Sequence, residues 1–353
     1  MTRLDDIAKQ KTLDRSNVYG SIESLAKQTK DALDQAGRVK LPKNPVKNLI
    51  LSGMGGSGLA ARVIESAFFE NLSVPLTRIH HYHLPSWAGK QTLVICSSYS
   101  GTTEETVSTL KQAIAKKCPT LVITTGGELK KLALKHRLPL YLIDPVQNPS
   151  GEPRMAIGYS LVGQLVLVKK AGLLNFTSEE FSDATKTMAQ VLAANGRQIP
   201  QVKNPAKKLA LSLHDKQVIM VAADHLTGAL HVVKNQMNEN AKQLSHRHDL
   251  PELNHHLMEG LKFPATNKKD VVFWLINSGL YLTRIQTRAV LTLDVVNRNG
   301  LNAFEYLATA PTRLAQVFEV IQFGALVNYY LTVLNGLDPA PIPWVDYFKK
   351  NLG

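Results

Sequence analysis

The sequence predicts an α/β fold of two doubly wound domains, each a parallel sheet flanked by helices as an α-β-α sandwich. Three observations predict it. Short β-type runs alternate with helical stretches from residue 48 onward, the pattern of parallel strands joined by helical crossovers. The same pattern restarts after residue 205. Two strands of the first half also run directly into glycine-rich or hydroxyl-rich segments that open a helix, as connections at the carboxyl edge of such a sheet do.

In chain order, residues 1–38 read as helix, with Ile22, Leu25 and Leu33 on one stripe. After Pro42 and Pro45 come strands at Asn48 to Ser52, Leu76 to Ile79, Thr92 to Cys96, Thr120 to Ile123 and Leu140 to Ile143, with helices near 57–70, 103–117, 127–135 and 157–171. Asp144 to Ala156 holds three prolines and a glycine, so it reads as a long irregular crossing. Asn195 to Pro205 is a second linker. Beyond it lie strands at Gln217 to Ala222 and Val271 to Asn277, with helices near 228–241, 281–298 and 313–335. The expected organisation is an N-terminal domain with a leading helix (1–155), connecting helices (156–200) and a C-terminal domain with a terminal helix (201–353). The halves repeat in order: NLILSGMGGSG is matched by QVIMVAADHLTG, and TLVICSSYSGTT by VVFWLINSGLYLT. The second copy lacks the glycines and hydroxyls, so phosphate chemistry is expected in the first half alone.

The chain has 353 residues, 44% of them hydrophobic and 20% charged, which excludes a disordered polypeptide and a peptide-sized module. Its net charge of +13 could serve nucleic acid, an anionic membrane or small anionic substrates. The basic residues occur as scattered pairs such as Lys116-Lys117 and Lys207-Lys208, without a basic arm or interleaved aromatics. That argues against nucleic acid. Cys96 and Cys118 adjoin apolar runs and read as buried free thiols. The charged start MTRLDDIAKQKTLDRS does not suit a signal peptide, and no continuous apolar run reaches 18 residues, so a cytoplasmic location without membrane contact is expected.

The sharpest feature is LSGMGGSGLAARVIE, where a strand ends in Gly53, Gly55, Gly56, Ser57 and Gly58 and a helix begins. Glycines let backbone approach a ligand, and open amides at a helix start attract an anion. The spacing also fits GxGxxG, so a phosphate site, a dinucleotide site and a simple tight turn stay open on the motif alone. The region about 20 residues on, Leu76 to His83, has no acidic strand end but Arg78 and three histidines, which favours phosphate. A second strand end, CSSYSGTTEET, supplies Ser97, Ser98, Ser100, Thr102 and Thr103 before a helix. One or two hydroxyls would serve as a cap; five exceed that need and suit a phosphate monoester.

With GMGGSG, SSYSGTTEET, EPRMAIGYSL, NENAK, PELNHH and the final helix, the chain resembles the bifunctional phosphoglucose/phosphomannose isomerases, built from two sugar isomerase (SIS) domains. The likeness runs from about residue 40 to the C-terminus. The first two motifs are common to SIS domains; the later ones narrow the resemblance to the isomerases. It implies an aldose–ketose isomerase interconverting glucose 6-phosphate, and mannose 6-phosphate, with fructose 6-phosphate through a cis-enediol.

By that resemblance Gly56, Ser57, Ser98, Ser100 and Thr103 contact the substrate, chiefly its phosphate, and Arg154 lies beside the reacting carbons. Glu239 is the proton-transferring base, while His255 and Lys349 assist ring opening. Family members are homodimers in which the histidine comes from the neighbouring subunit. The residue types suit the chemistry. A carboxylate can move a proton between C1 and C2, a guanidinium can hold enediolate charge, and a histidine can act at the ring oxygen. Glu239 could alternatively pair with Lys234 or Lys242 on an exposed helix face. The family usually shows NHNE where this chain has Asn254-His255-His256-Leu257, and DPTP where it has Asp338-Pro339-Ala340-Pro341. These departures bear on placement of the sugar, including acceptance of the C2 epimer, and leave the phosphate loops untouched.

No metal or other cofactor is expected. His80-His81-Tyr82-His83 and His246-Arg247-His248 lack a second ligand cluster at zinc-like spacing. Two other functions fit the phosphate loops: a non-catalytic phosphosugar-binding regulator, for which no helix-turn-helix is recognisable, and another SIS-family phosphosugar isomerase.

Overall fold

The computed structural model describes residues 3–42 and 45–352; Met1 and Thr2, at the head of the expected leading helix, lie outside the described residues. That leading segment is three helices, α1 (Ile7–Leu13), α2 (Val18–Glu23) and α3 (Leu25–Gly37), where one was expected. Asp14 explains the first break. Its carboxylate accepts from the amides of Val18 at 2.7 Å and Tyr19 at 2.8 Å, so it caps a new helix rather than extending the old one.

Contacts divide the chain into residues 24–185 and a second unit made of the segment before residue 24 together with residues 186–353. The expected partition placed the leading helix with the first domain. α3 lies in the first of these units, while the segment before residue 24 is held to the C-terminal residues: Gln322 donates to the Ile22 carbonyl at 3.1 Å, and Arg3 to the Leu334 carbonyl at 2.8 Å.

Residues 24–185 hold a five-stranded, all-parallel sheet in the order β2-β1-β3-β4-β5. The strands are β1 (Asn48–Ser52), β2 (Leu76–Ile79), β3 (Thr92–Ser97), β4 (Thr120–Thr124) and β5 (Leu140–Leu142). The three central strands are apolar on both sides because both faces are covered. On one face Ile50, Val94, Cys96 and Val122 pack with Leu110 and Ala113 of α5 (Glu104–Ala115) and with Leu129 and Ala133 of α6 (Gly127–Lys135). α4 (Gly55–Ala67) and α7 (Ile157–Lys170) pack together and against the sheet, with α3 laid on α7.

α8 (Ser178–Asn195) leads to α9 (Pro205–Leu213), whose first turn is capped by Asn204 accepting from the Lys207 amide at 2.9 Å. The second unit contains a four-stranded parallel sheet, β7-β6-β8-β9. Its strands are β6 (Gln217–Ala223), β7 (Ser245–Leu250), β8 (Val271–Ser278) and β9 (Asn302–Ala308). Its order repeats β2-β1-β3-β4, so the two sheets are doubly wound in the same way. β7 and β9 escape a search for apolar runs because they are edges: β7 reads SHRHDL, and β9, NAFEYLA, mixes exposed and half-buried positions.

α10 (Thr227–Gln236) runs into a wider π-turn, Met237–Ala241, where a single helix to residue 241 was expected. After it come α11 (Asn267–Asp270), α12 (Thr283–Arg298), α13 (Arg313–Asn335) and α14 (Pro343–Leu352). α13 is long and apolar enough to cross a membrane, but every residue from Leu314 to Leu334 is buried, as in a helix at the centre of a packed unit. It approaches α10 so closely that a Cβ on Gly324 would lie 2.3 Å from the Val233 side chain. α14 is exposed throughout.

Candidate active site

β1 delivers the chain into the glycine segment at its carboxyl end. Gly55 opens α4 at φ +50°, a left-handed conformation that favours glycine. Gly53 is excluded from bearing a side chain by space, since its Cβ would lie 2.8 Å from the Ser97 carbonyl oxygen. No side chain caps α4, so its start remains suited to an anion. Behind it, the His80 ring sits 3.0 Å from the Gly53 carbonyl oxygen, and burial pushes that imidazole below its ordinary pKa.

The second loop lies directly alongside. The Ser57 hydroxyl accepts from the Tyr99 amide at 2.9 Å, which ties the β1–α4 loop to the β3–α5 loop. Ser98 Oγ lies 2.8 Å from Thr103 Oγ1 and 3.5 Å from Ser100 Oγ, and it accepts from the Gly101 amide at 3.1 Å. Thr103 occupies the N-cap position of α5 without a side-chain capping bond. Its hydroxyl faces the serine cluster instead. Gly101 holds the bend at φ +73°, where a Cβ would collide with the Gly126 carbonyl oxygen.

Arg154 reaches the same neighbourhood through the irregular crossing. A short 3-10 turn, Pro153–Met155, packs on the first turn of α4, so that a Cβ on Gly56 would sit 3.0 Å from the Pro153 oxygen and 3.1 Å from the Arg154 nitrogen. The Arg154 side chain is only 2% exposed, and its Nη1 donates to Glu152 Oε2 at 2.6 Å. This stretch is firmly anchored. Asn148 donates to the Tyr99 hydroxyl at 3.2 Å and to the Glu152 carbonyl at 3.1 Å, while Gln28 donates to the Met155 carbonyl at 3.0 Å. Gly56, Ser57, Ser98, Ser100, Thr103 and Arg154 are therefore gathered at the carboxyl ends of β1 and β3, the edge where parallel sheets bind ligands.

Glu239, His255 and Lys349 stand on three separate elements of the other unit. Glu239 is half-buried on the π-turn. His255 is exposed at the end of a 3-10 turn, Glu252–His255. Neighbouring Asn254 fastens that turn to α12, donating to Thr292 Oγ1 at 2.8 Å and accepting from Arg288 at 3.2 Å. Lys349 is exposed on α14.

Residues 202–352 match the family described as the bacterial phospho-glucose isomerase C-terminal SIS domain. A bifunctional phosphoglucose/phosphomannose isomerase of Caldicellulosiruptor bescii is 29% identical over 348 residues, 95% of this chain and 98% of that protein. One of Thermoplasma volcanium is 28% identical over 86% of this chain and 91% of its own length. The resemblance to the bifunctional phosphoglucose/phosphomannose isomerases holds. Among solved structures, a hypothetical protein of Thermus thermophilus aligns with TM-score 0.74 at 17% identity, covering 94% of this chain and 90% of its own. Tagatose-6-phosphate ketose/aldose isomerase of Escherichia coli aligns with TM-score 0.63 at 14% identity, covering 97% of each chain. Both likenesses concern the fold.

Several groups in this isomerase-like chain had no role assigned from sequence. His80 and Tyr99 support the β1–α4 and β3–α5 loops through long-range bonds to Gly53 and Asn148, and only the histidine cluster gave any signal. Glu152, the partner of Arg154, is visible in EPRM but carries no periodic pattern. The π-turn under Glu239 and the engagement of Lys242 with backbone carbonyls had no sequence signal beyond the NENAK motif itself.

Proposed function

We propose that this chain is an aldose–ketose isomerase interconverting glucose 6-phosphate, and mannose 6-phosphate, with fructose 6-phosphate through a cis-enediol. The observation that carries the reading is the packing of the Arg154 turn directly on Gly56, in a chain that one relative of that name matches over 95% of this chain and 98% of its own length. In this reading the permanently charged guanidinium of Arg154 works beside neutral phosphate donors.

In this mechanism the Ser57, Ser98, Ser100 and Thr103 hydroxyls and the start of α4 hold the phosphate. Neutral donors bind it reversibly and leave the positive charge of Arg154 for the oxygens at C1 and C2, where negative charge develops. The guanidinium is already oriented by Glu152, so little reorganisation is needed during reaction. Glu239 takes the proton from one of C1 and C2 and returns it to the other, while His255 and Lys349 exchange protons at the ring oxygen and anomeric hydroxyl. Since glucose and mannose 6-phosphates differ at C2, the carbon that becomes planar, one base serves both. The route moves protons only and calls for no cofactor.

The reading extends to a cytoplasmic homodimer in which His255 is donated to the neighbouring subunit's site, acting in glycolysis and gluconeogenesis. The exposure of His255 and of α14 is what such an assembly would use. A coupled assay with each phosphosugar tests the activity. Formation of fructose 6-phosphate supports it, and a protein that binds these sugars by calorimetry without turning them over is a regulator instead.

A further inference from the structure

The helix bearing Glu239 ends in an unusual way. α10 widens into the π-turn Met237–Ala241, then stops at Lys242 with φ 53° and ψ 31°. A left-handed residue at a helix C-terminus is usually glycine, because a Cβ is crowded there. A π-turn swings the residues it contains away from the register of the preceding α-helix, and such turns concentrate at functional sites.

The Lys242 side chain joins this turn to a second segment. Its ammonium lies within hydrogen-bond distance of three carbonyl oxygens, those of Asn240 at 3.2 Å, Asp338 at 3.2 Å and Pro339 at 3.1 Å. Two of these belong to the loop after α13, and the third lies inside the π-turn. A compact ammonium with three donors suits three acceptors from two segments, whereas a neutral side chain offers fewer donors and no charge. Other bonds fix the same turn. Asn238 accepts from the Ser245 amide and hydroxyl, both at 2.9 Å, and Asn335 donates to the Ala241 carbonyl at 2.8 Å. The far loop is braced too, since the Ala340 amide donates to Asp338 Oδ1 at 3.0 Å.

We infer that Lys242 is a positioning residue for proton transfer, its ammonium clamping the Glu239-bearing π-turn to the Asp338–Pro339 loop and so fixing where the carboxylate points. The inference rests on the reading of Glu239 as the base. It explains why a lysine stands where backbone conformation favours glycine: the side chain is retained for its three carbonyl partners. The two segments it joins, NENAK and Asp338-Pro339, are far apart in sequence, and this ammonium ties their backbones together.

Substitution by glycine separates positioning from stability. Lys242→Gly relieves the left-handed backbone but removes the clamp. Its melting temperature should stay near that of the parent. KM for fructose 6-phosphate should stay within about twofold, while kcat and C2 solvent-deuterium incorporation fall together by about tenfold to a hundredfold. Lys242→Arg should recover part of the loss. If Lys242→Gly does not fold, Lys242→Met, which keeps the aliphatic stem, is read in the same way. A kcat within about twofold of the parent, or a loss carried wholly by KM or by melting temperature, overturns the inference. Glu239→Gln measured in parallel tells the two failures apart. If it abolishes exchange while Lys242→Gly does not, the clamp alone is wrong. If it leaves exchange intact, the base is wrong and the clamp falls with it.

Discussion

Gly56 and Arg154 are in backbone contact: a Cβ on Gly56 would lie 3.1 Å from both the Arg154 nitrogen and its Cα. The glycine thus sets how close the Arg154 turn can come to α4. Under the proposed function, the absence of a side chain at residue 56 is part of how Arg154 is positioned.

Gly56→Ala should therefore impair turnover more than folding. The new methyl group meets backbone atoms that can retreat only if the whole Pro153–Met155 turn moves. A displacement of a few tenths of an ångström up to one ångström at Arg154 should lower kcat/KM by about tenfold to a hundredfold. Circular dichroism melting would move little. Unchanged kinetics would show that the turn is not positioned by this contact.

Arg154→Lys keeps the charge but loses the planar fork that Glu152 orients at 2.6 Å. Turnover should fall more than substrate affinity, because the guanidinium is assigned to charge that develops during reaction. Steady-state kinetics with fructose 6-phosphate provide the test. Full activity would remove Arg154 from the mechanism.

Ser100→Ala and Ser57→Ala should differ in kind. Ser100 is exposed, and losing its hydroxyl should raise KM by an amount equivalent to about 1 kcal/mol with little change in melting temperature. Ser57 also accepts the Tyr99 amide, so its loss should weaken binding and lower the melting temperature as well. Identical melting curves for the two variants would contradict the loop-to-loop role of Ser57.

How much of this was legible in sequence follows from burial. β1 has the expected bounds because it is covered on both faces and reads as an uninterrupted apolar run. β7 and β9, the edges of the second sheet, carry charged and mixed residues at partly covered positions and left no such trace. The helix break at Asp14 was hidden because a capping carboxylate looks like any surface charge until its amide partners are known. In the site, the glycine loop was legible since local backbone geometry demands that residue type, and the hydroxyl loop because its density exceeds what a helix cap needs. Arg154, Glu239, His255 and Lys349 emerged only through the family resemblance, because each depends on contacts between segments distant in sequence.

The buried His225 gives a pH prediction. Its Nε2 faces Gln316 Oε1 at 2.8 Å, and Gln316 is oriented by donating to the Ala308 and Ala310 carbonyls, so the imidazole is the donor. Burial, with a smaller contribution from the Arg313 charge, pushes its pKa down to about 4, against the hydrogen bond to Gln316 that opposes the shift. The unfolded chain binds this proton near pH ~6.5, so the stability contributed is complete above that pH. It is lost as pH falls toward the folded value, by about 3 kcal/mol. Urea unfolding of the parent and of His225→Gln at neutral pH and at about pH 4.5 would show it. A parent whose loss of stability on acidification is no greater than the variant's would contradict the assignment.

The most direct test of the central claim is isomerisation of fructose 6-phosphate in deuterium oxide by the purified protein, followed by NMR. The account predicts glucose 6-phosphate, and mannose 6-phosphate, carrying deuterium at C2, with Glu239→Gln reducing both product and label by roughly a hundredfold to ten-thousandfold while the sugar still binds. Failure of the parent protein to convert fructose 6-phosphate into either aldose would contradict the assigned activity, and label incorporation undiminished in Glu239→Gln would contradict the assigned base.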